Sequence, residues 1–326
     1  MRALVQTAFG SPGQAALQQV TDPVPGPGDL LVRVHAAGLN AADRMTLRGE
    51  PFGIRAVAGG LRRPRAGFVV GRALAGRVEA IGDGVRDHRV GDDVLAETPA
   101  AIGELVRVPA RLAAAKPAGL TFTEAAALPL AGTTALQSIR DAVGARAGRR
   151  VLITGASGGI GTFAVQLAAA HGAIVTASCA GRNAGLVRAL GATGVVDYEH
   201  REPLAAPGEG YDAILDLAGN YTLAELRRSL RPGGVLVLSV GTGGRWLGPA
   251  RRILTGKLTR GGPVRTLLAR PDRDDLTEIA EMAAAGELRP VIDRVYPFPE
   301  AAAALHHLDR GRVAGKIVIA MTGEPG

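Results

Sequence analysis

A chain of 326 residues with 47% hydrophobic content has room for about two domains and a sizeable core. Its net charge of +8 would suit a nucleic-acid binder, but the arginines are dispersed and aromatic residues make up only 3%, so no nucleic-acid partner is expected. The single cysteine, Cys179, excludes a disulfide framework and a cysteine-rich zinc site, and there is no apolar run of about 18 residues to span a membrane. The opening MRALVQTAFG has no apolar signal region, so a cytoplasmic protein without a membrane partner is expected.

In chain order, Met1 to Thr7 alternates like a strand, a Pro/Gly-rich loop runs from Pro23 to Gly28, and Leu30 to Ala36 is a second strand. Strand-and-glycine alternation continues through Gly67–Gly71, Gly76–Gly82, Val90–Leu95 and Gly103–Pro109, which marks a β-rich domain. Thr121-Phe122-Thr123-Glu124 is a capping box that opens a helix over Ala125–Ala127. Val151-Leu152-Ile153-Thr154 then reads as a strand buried on both faces, followed without a gap by the turn Gly155-Ala156-Ser157-Gly158-Gly159-Ile160-Gly161 and a helix from Thr162 to Ala170. Strands over 173–177, 194–198, 211–216 and 234–239, with a helix over 186–190, continue that rhythm and imply a parallel, doubly wound sheet. Beyond it the pattern predicts a basic helix pair over 245–260, a helix over 276–285, a strand over 289–297, a helix over 299–308 and a closing strand over 315–320.

The turn is an A-x-G-x-x-G version of the dinucleotide fingerprint, with Ala156 at the first glycine position and Ser157, Gly158, Gly159, Ile160 and Gly161 around the expected pyrophosphate. An NAD site usually carries an acid at the end of the second strand. Here Thr176 to Asn183 contains none, and Arg182 is placed either to pair with a 2′-phosphate or to stand as one more solvated arginine. NADPH is therefore the expected cofactor, with Cys179, Arg182 and Asn183 on its adenosine side.

The motifs Gly38-x-Asn40-x-x-Asp43, Gly71-x-x-x-Ala75-Gly76-x-Val78-x-x-x-Gly82, Gly91-Asp92-x-Val94, Glu124-Ala125-Ala126-Ala127-x-Pro129, Ala156 to Gly161, Leu190-Gly191-Ala192, Asp197-Tyr198, Asp216-x-x-Gly219, Pro232-x-Gly234 and Gly315-Lys316 occur in this order. Together they resemble the medium-chain dehydrogenase/reductase superfamily, in its zinc-independent quinone oxidoreductase-like and enoyl reductase-like branch. The short-chain alternative suggested by Thr154-Gly155 through Gly161 fails because none of Tyr198, Tyr211, Tyr221 and Tyr296 has a lysine four residues on. The resemblance implies a GroES-like catalytic domain over 1–122 and 266–326, a Rossmann cofactor domain over 123–265, and a homodimer.

Zinc-dependent members carry a Cys at the position of Asn40 and a His in the stretch where this chain has Arg72 and Ala73, so no zinc is expected. The resemblance casts Asn40 as an amide at the nicotinamide ribose and reacting centre; an Asx-turn role is the alternative. Thr134 matches a threonine near the carboxamide, with a helix hydroxyl bonded back to a carbonyl as its alternative. Tyr198, Leu217, Ala218, Gly219, Val240 and Gly241 would face the cofactor, and Lys316 would reach it or close the cleft. Asp43 and Phe52 line the expected substrate cleft; many relatives have a tyrosine there between the positions of Asp43 and Gly67, where this chain offers only Phe52. The implied reaction is metal-free hydride delivery from NADPH to a quinone or α,β-unsaturated carbonyl. A dedicated enoyl or enone reductase and a non-catalytic NADPH-binding sensor stay open as alternatives.

Overall fold

Strand β1 (Arg2–Gln6) pairs antiparallel with β2 (Ala15–Gln19) in a computed structural model that describes residues 1–200, 204–205, 209–239, 263–267 and 269–321. The eleven-residue β3 (Asp29–Leu39) runs into α1 (Ala41–Arg48), with Asn40 as N-cap between them. After β4 (Ala73–Ile81), β5 (Asp93–Glu97), β6 (Leu105–Pro109) and β7 (Ala113–Ala115) comes α2 (Phe122–Ala127). Its capping box forms as expected: Thr121 Oγ1 accepts from the Glu124 backbone N–H, and Glu124 accepts from the Thr121 N–H.

The middle of the chain contains α3 (Ala131–Gln137), β8 (Arg150–Thr154), α4 (Gly159–Ala170), β9 (Ile174–Cys179), α5 (Ala184–Ala189), β10 (Gly194–Asp197) and β11 (Tyr211–Asp216). It continues with α6 (Leu223–Arg228), β12 (Leu230–Ser239) and β13 (Val264–Leu267). The C-terminal portion adds α7 (Arg273–Ala284), β14 (Ile292–Pro297), α8 (Ala301–Arg310) and β15 (Lys316–Ala320).

These elements form two compact units, Met1–Thr133 with Pro271–Gly326, and Thr134–Arg270. The divisions fall later than the expected 122/123 and 265/266. Helix α2 accounts for the first shift, because it lies on β3 and β4 and so stays with the first unit.

In the first unit the sheet order is β14-β15-β3-β4-β5-β7, with β6 also paired to β3. Its core alternates down β3 through the fully buried Leu30, Val32 and Val34, and takes in Leu74, Val94, Phe298 and Leu305 from neighbouring elements. Gly38, near the end of β3, lies directly beneath α2: a Cβ there would stand 2.2 Å from the Ala126 carbonyl oxygen. That close approach is what the glycine permits.

In the second unit six parallel strands run β10-β9-β8-β11-β12-β13. Counted from β8 this is the order 3-2-1-4-5-6 of a doubly wound nucleotide fold, and it reverses between β8 and β11. The strands are apolar on both faces, with Val151, Leu152, Ile153, Ala213, Ile214 and Leu215 all fully buried. The β-rich and doubly wound architectures are as expected from sequence.

Several elements were not expected, β2 and α1 among them. Strand β2 (Ala-Ala-Leu-Gln-Gln) has no β-branched residue, so only its pairing to β1 makes it a strand. Helix α1 follows β3 with just Asn40 between, leaving no loop to announce it. The basic helix pair expected over 245–260 lies outside the described residues.

Gly38→Ala should lower stability by at least about 1–3 kcal/mol, since the added methyl meets backbone rather than a movable side chain. Urea unfolding would measure it, and an unchanged midpoint would contradict the packing of α2 on β3.

Candidate functional site

In the second unit the glycine turn sits at the carboxyl end of β8, where the strand order reverses. Gly155 has φ +64°, and a side chain there would meet the Ala218 Cβ at 3.2 Å. A Cβ on Gly161 would stand 2.2 Å from the Gly155 carbonyl oxygen, so α4 packs straight onto the turn. Gly158 is the N-cap of α4, and Gly159, Ile160 and Gly161 form its first turn. Their backbone N–H groups belong to the set a helix leaves without internal partners. Two of the three residues from Gly158 to Ile160 carry no side chain, which leaves a backbone cradle suited to a pyrophosphate. Ala156 is fully buried and serves packing; the Ser157 hydroxyl accepts a 3.0 Å bond from Asn183 Nδ2. That bond ties the fingerprint to the segment after β9.

The residues after β9 and β10 meet. Arg182 Nη1 donates to Glu199 Oε1 at 2.8 Å, and both side chains are about half exposed. Tyr198, beside Glu199, also interacts with the Arg182 guanidinium. An exposed pair of this kind contributes little to stability and can be exchanged for another anion. The Cys179 thiol is buried, and that burial raises its pKa, so Cys179 contributes backbone here: its carbonyl accepts from the Tyr198 N–H.

Sequence reading quoted Asp216 within a motif but did not connect it with Thr154. Thr154 and Asp216, both fully buried, are register partners at the ends of β8 and β11. Thr154 Oγ1 donates to Asp216 Oδ1 at 2.6 Å and accepts from the N–H groups of Leu217 and Ala218. Asp216 Oδ1 also accepts from Gly219 N–H. One hydroxyl and one carboxylate thus hold Leu217, Ala218 and Gly219 as a fixed loop against Gly155. Val240 and Gly241 lie outside the described residues.

In the first unit the end of β3, the start of α1 and the start of β15 bring Asn40, Asp43 and Lys316 together. Lys316 is 1% exposed, and its Nζ donates to the Leu39 carbonyl at 2.8 Å and to Asn40 Oδ1. The Asn40 Nδ2 donates to the Gly38 carbonyl at 3.1 Å. The Asn40 amide is therefore turned toward Lys316 and Gly38. Asp43 is 2% exposed and accepts the Asn40 backbone N–H at 2.8 Å, an anchor for the first turn of α1. Burial pushes its carboxyl up to about 6 despite that bond and the nearby Lys316 charge. Burial likewise brings the Lys316 ammonium down to about 8, with Asp43 and Glu97 opposing the shift. Glu97, its own pKa raised by burial, pairs with Arg72 at 3.4 Å.

Phe52 belongs to a different cluster, where the Arg55 guanidinium lies 5.0 Å from its ring centroid and 4.8 Å from that of Phe9. Thr134 opens the second unit at the 133/134 division and is 6% exposed. The bond back to a carbonyl in this helix comes from its neighbour, Thr133 Oγ1 to Leu130 O, while Thr134 contributes its carbonyl to Ser138 Oγ.

Among the described residues no three His, Cys, Asp or Glu side chains are grouped to hold a metal ion.

The alcohol dehydrogenase GroES-like domain family matches residues 26–127, and the zinc-binding dehydrogenase family matches residues 190–319. The chain is 31% identical over 336 residues to the chloroplast envelope quinone oxidoreductase homolog of Arabidopsis thaliana, covering 98% of both. It is 31% identical over 330 residues to the mitochondrial NAD(P)H oxidoreductase RTN4IP1 of Danio rerio, covering 90% of this chain and 84% of that protein. Among solved structures, the quinone oxidoreductase from Coxiella burnetii matches with a TM-score of 0.88 at 28% identity, covering 99% of each chain.

Thr154→Val should cost about 1–3 kcal/mol, because it leaves the buried Asp216 short of a donor and two backbone N–H groups short of an acceptor. It should also weaken dinucleotide binding, which nicotinamide fluorescence would measure. The pH dependence has a definite sign at Asp43. Its folded-state pKa lies above the usual 3.8, so the stability it contributes is present below pH 4 and lost as pH rises through about 6. Between those limits the wild type should lose on the order of 2–3 kcal/mol that Asp43→Asn does not lose. Parallel thermal unfolding curves of the two proteins would overturn this assignment.

Proposed function

The chain belongs to the medium-chain dehydrogenase/reductase family and is an oxidoreductase of the NAD(P)H-using quinone oxidoreductase type, and on that premise we propose that it reduces a quinone or an α,β-unsaturated carbonyl with NADPH and without a metal. The observation that carries the reading is the backbone cradle from Gly158 to Gly161 at the sheet's reversal point, beside an acid-free β9 end that presents Arg182. NADPH, when bound, supplies the hydride, and the protein's own share is binding, orientation and exclusion of water.

In this reading the first turn of α4 holds the pyrophosphate, and the loop held by Thr154 and Asp216 supports the nicotinamide half. Arg182 exchanges Glu199 for the 2′-phosphate, which its permanently charged planar fork suits. Asn40 supplies a side-chain N–H to the nicotinamide ribose or the acceptor oxygen, and Thr134 a hydroxyl near the carboxamide. Metal-free chemistry is supported by residue type. Asn40 and Arg72 are poor zinc ligands, and Asn40 Oδ1 already receives a hydrogen bond from a cation. A conjugated acceptor is already electrophilic and needs less activation than a simple ketone, which is the reason for choosing quinones and enones.

The test is NADPH oxidation with 9,10-phenanthrenequinone and a panel of enones, repeated with NADH. Turnover should depend on NADPH, and Arg182→Ala should raise KM for NADPH about tenfold while leaving KM for NADH unchanged. NADPH binding without turnover on any acceptor would replace this reading with that of a binding protein. Equal use of both nucleotides by the wild type would remove the role given to Arg182.

A further inference from the structure

Only three of the 38 Lys and Arg residues are lysine, namely Lys116, Lys257 and Lys316. Lys316 is among the largest fully buried side chains of the protein. Taking an ammonium out of water costs several kcal/mol, and a hydrophobic residue of similar volume is often the more stabilising choice. A guanidinium would bring a wider fork, whereas an ammonium is a compact point charge that donates only.

The surroundings show what that point charge does. Nζ donates to the Leu39 carbonyl and to Asn40 Oδ1, at the junction of β3 and α1. Because lysine has no acceptor, the Asn40 oxygen must face it, and the amide NH2 must face the other way. One N–H of that NH2 is used on the Gly38 carbonyl at 3.1 Å. The charged groups facing Lys316 are Asp43 on α1 and Glu97 on β5, with Arg72 joined to Glu97. The Asp43 carboxylate in turn holds the Asn40 backbone N–H. Asn40 is thus fixed at both ends, its side chain by a cation and its backbone by an anion.

We propose that Lys316 is a positioning residue that fixes Asn40 as a hydrogen-bond donor, its ammonium both setting the direction of the amide and polarising it. A hydrogen bond accepted at Oδ1 from a cation strengthens the donor power of Nδ2 in the same amide. Lys316 then acts without touching cofactor or substrate, which its burial agrees with. The proposal rests on the reading in which Asn40 contacts the bound nucleotide or acceptor, and the experiment separates the two.

The experiment is a cycle of Lys316→Met, Asn40→Ala and the double variant, read by kcat and KM with 9,10-phenanthrenequinone and by NADPH Kd from fluorescence. Each single change should lower kcat/KM about 10–100-fold, a size usual for loss of a supporting partner. The double variant should be no worse than Asn40→Ala alone. Multiplying losses would overturn the proposal, since Lys316 would then act independently of Asn40. A loss in Asn40→Ala with none in Lys316→Met would overturn it while sparing the role of Asn40. No loss in Asn40→Ala would overturn the reading of Asn40 itself, and the proposal with it.

A second measurement needs no cofactor and no activity. In the free protein the Asn40 side-chain amide signal in a nitrogen–proton NMR spectrum should shift as Lys316 loses its proton near pH 8, and kcat/KM should fall over the same range. Both effects should be absent in Lys316→Met, or in Lys316→Gln if the Met variant does not fold. Asn40 side-chain amide signals at the same position in the wild type and in the Lys316 variant would overturn the proposal, since the ammonium would then not polarise that amide.

Discussion

The contact of Lys316 with Leu39 and Asn40 joins the last described strand to the end of β3, 276 residues away in sequence. It depends on register. Ile317 pairs with Leu39 and Val318 with Gly38, so β15 must lie against β3 in one alignment for Nζ to reach the β3–α1 junction. A slip by one residue would turn Lys316 to the other face of the sheet and leave Asn40 without its cation. Helix α2 also lies on β3, so close that only glycine fits at position 38. The fold of the first unit and the placing of the Asn40 amide therefore share one constraint.

The second unit meets a comparable problem by different means. A nucleotide cradle needs bare backbone, and bare backbone is conformationally loose. Here the looseness is taken up from two directions. Gly161 brings α4 onto the Gly155 carbonyl, and Thr154, bonded to Asp216, helps it hold the facing loop through three hydrogen bonds from the N–H groups of Leu217, Ala218 and Gly219. Two fully buried polar side chains side by side would be costly if unpaired, and their mutual bond removes most of that cost. The polar pair serves to shape a surface that has few side chains of its own.

Charge is used differently in the two places. At Arg182 it is exposed, paired with Glu199 and free to exchange partners, as suits a group that meets a ligand from solvent. At Lys316 it is enclosed with Asp43 and Glu97, each charged form opposed by burial and favoured by its neighbours. The first arrangement leaves its cation open to solvent, and the second encloses it against the Leu39 carbonyl and the Asn40 amide. Arg55, between the rings of Phe9 and Phe52, illustrates a third use, in which a cation lies against aromatic faces.

The sequence by itself determined the elements whose signals are contiguous. The run from Val151 to Ala170 contains strand, glycine turn and helix in one stretch, so the nucleotide unit and its cradle could be read directly. The acid-free stretch around Arg182 and the capping box at Thr121 were legible for the same reason. Helix α1 and strand β2 were not, because eight residues after a one-residue junction and five without β-branching give little local signal. Nor could the sequence reveal that Asn40 would turn its amide to Lys316, or that Thr154 would find Asp216. Those pairs lie 276 and 62 residues apart, and their meeting depends on which strands are neighbours and in what register. Strand adjacency is decided by the burial of whole sheet faces, a property of the folded chain that no local stretch contains.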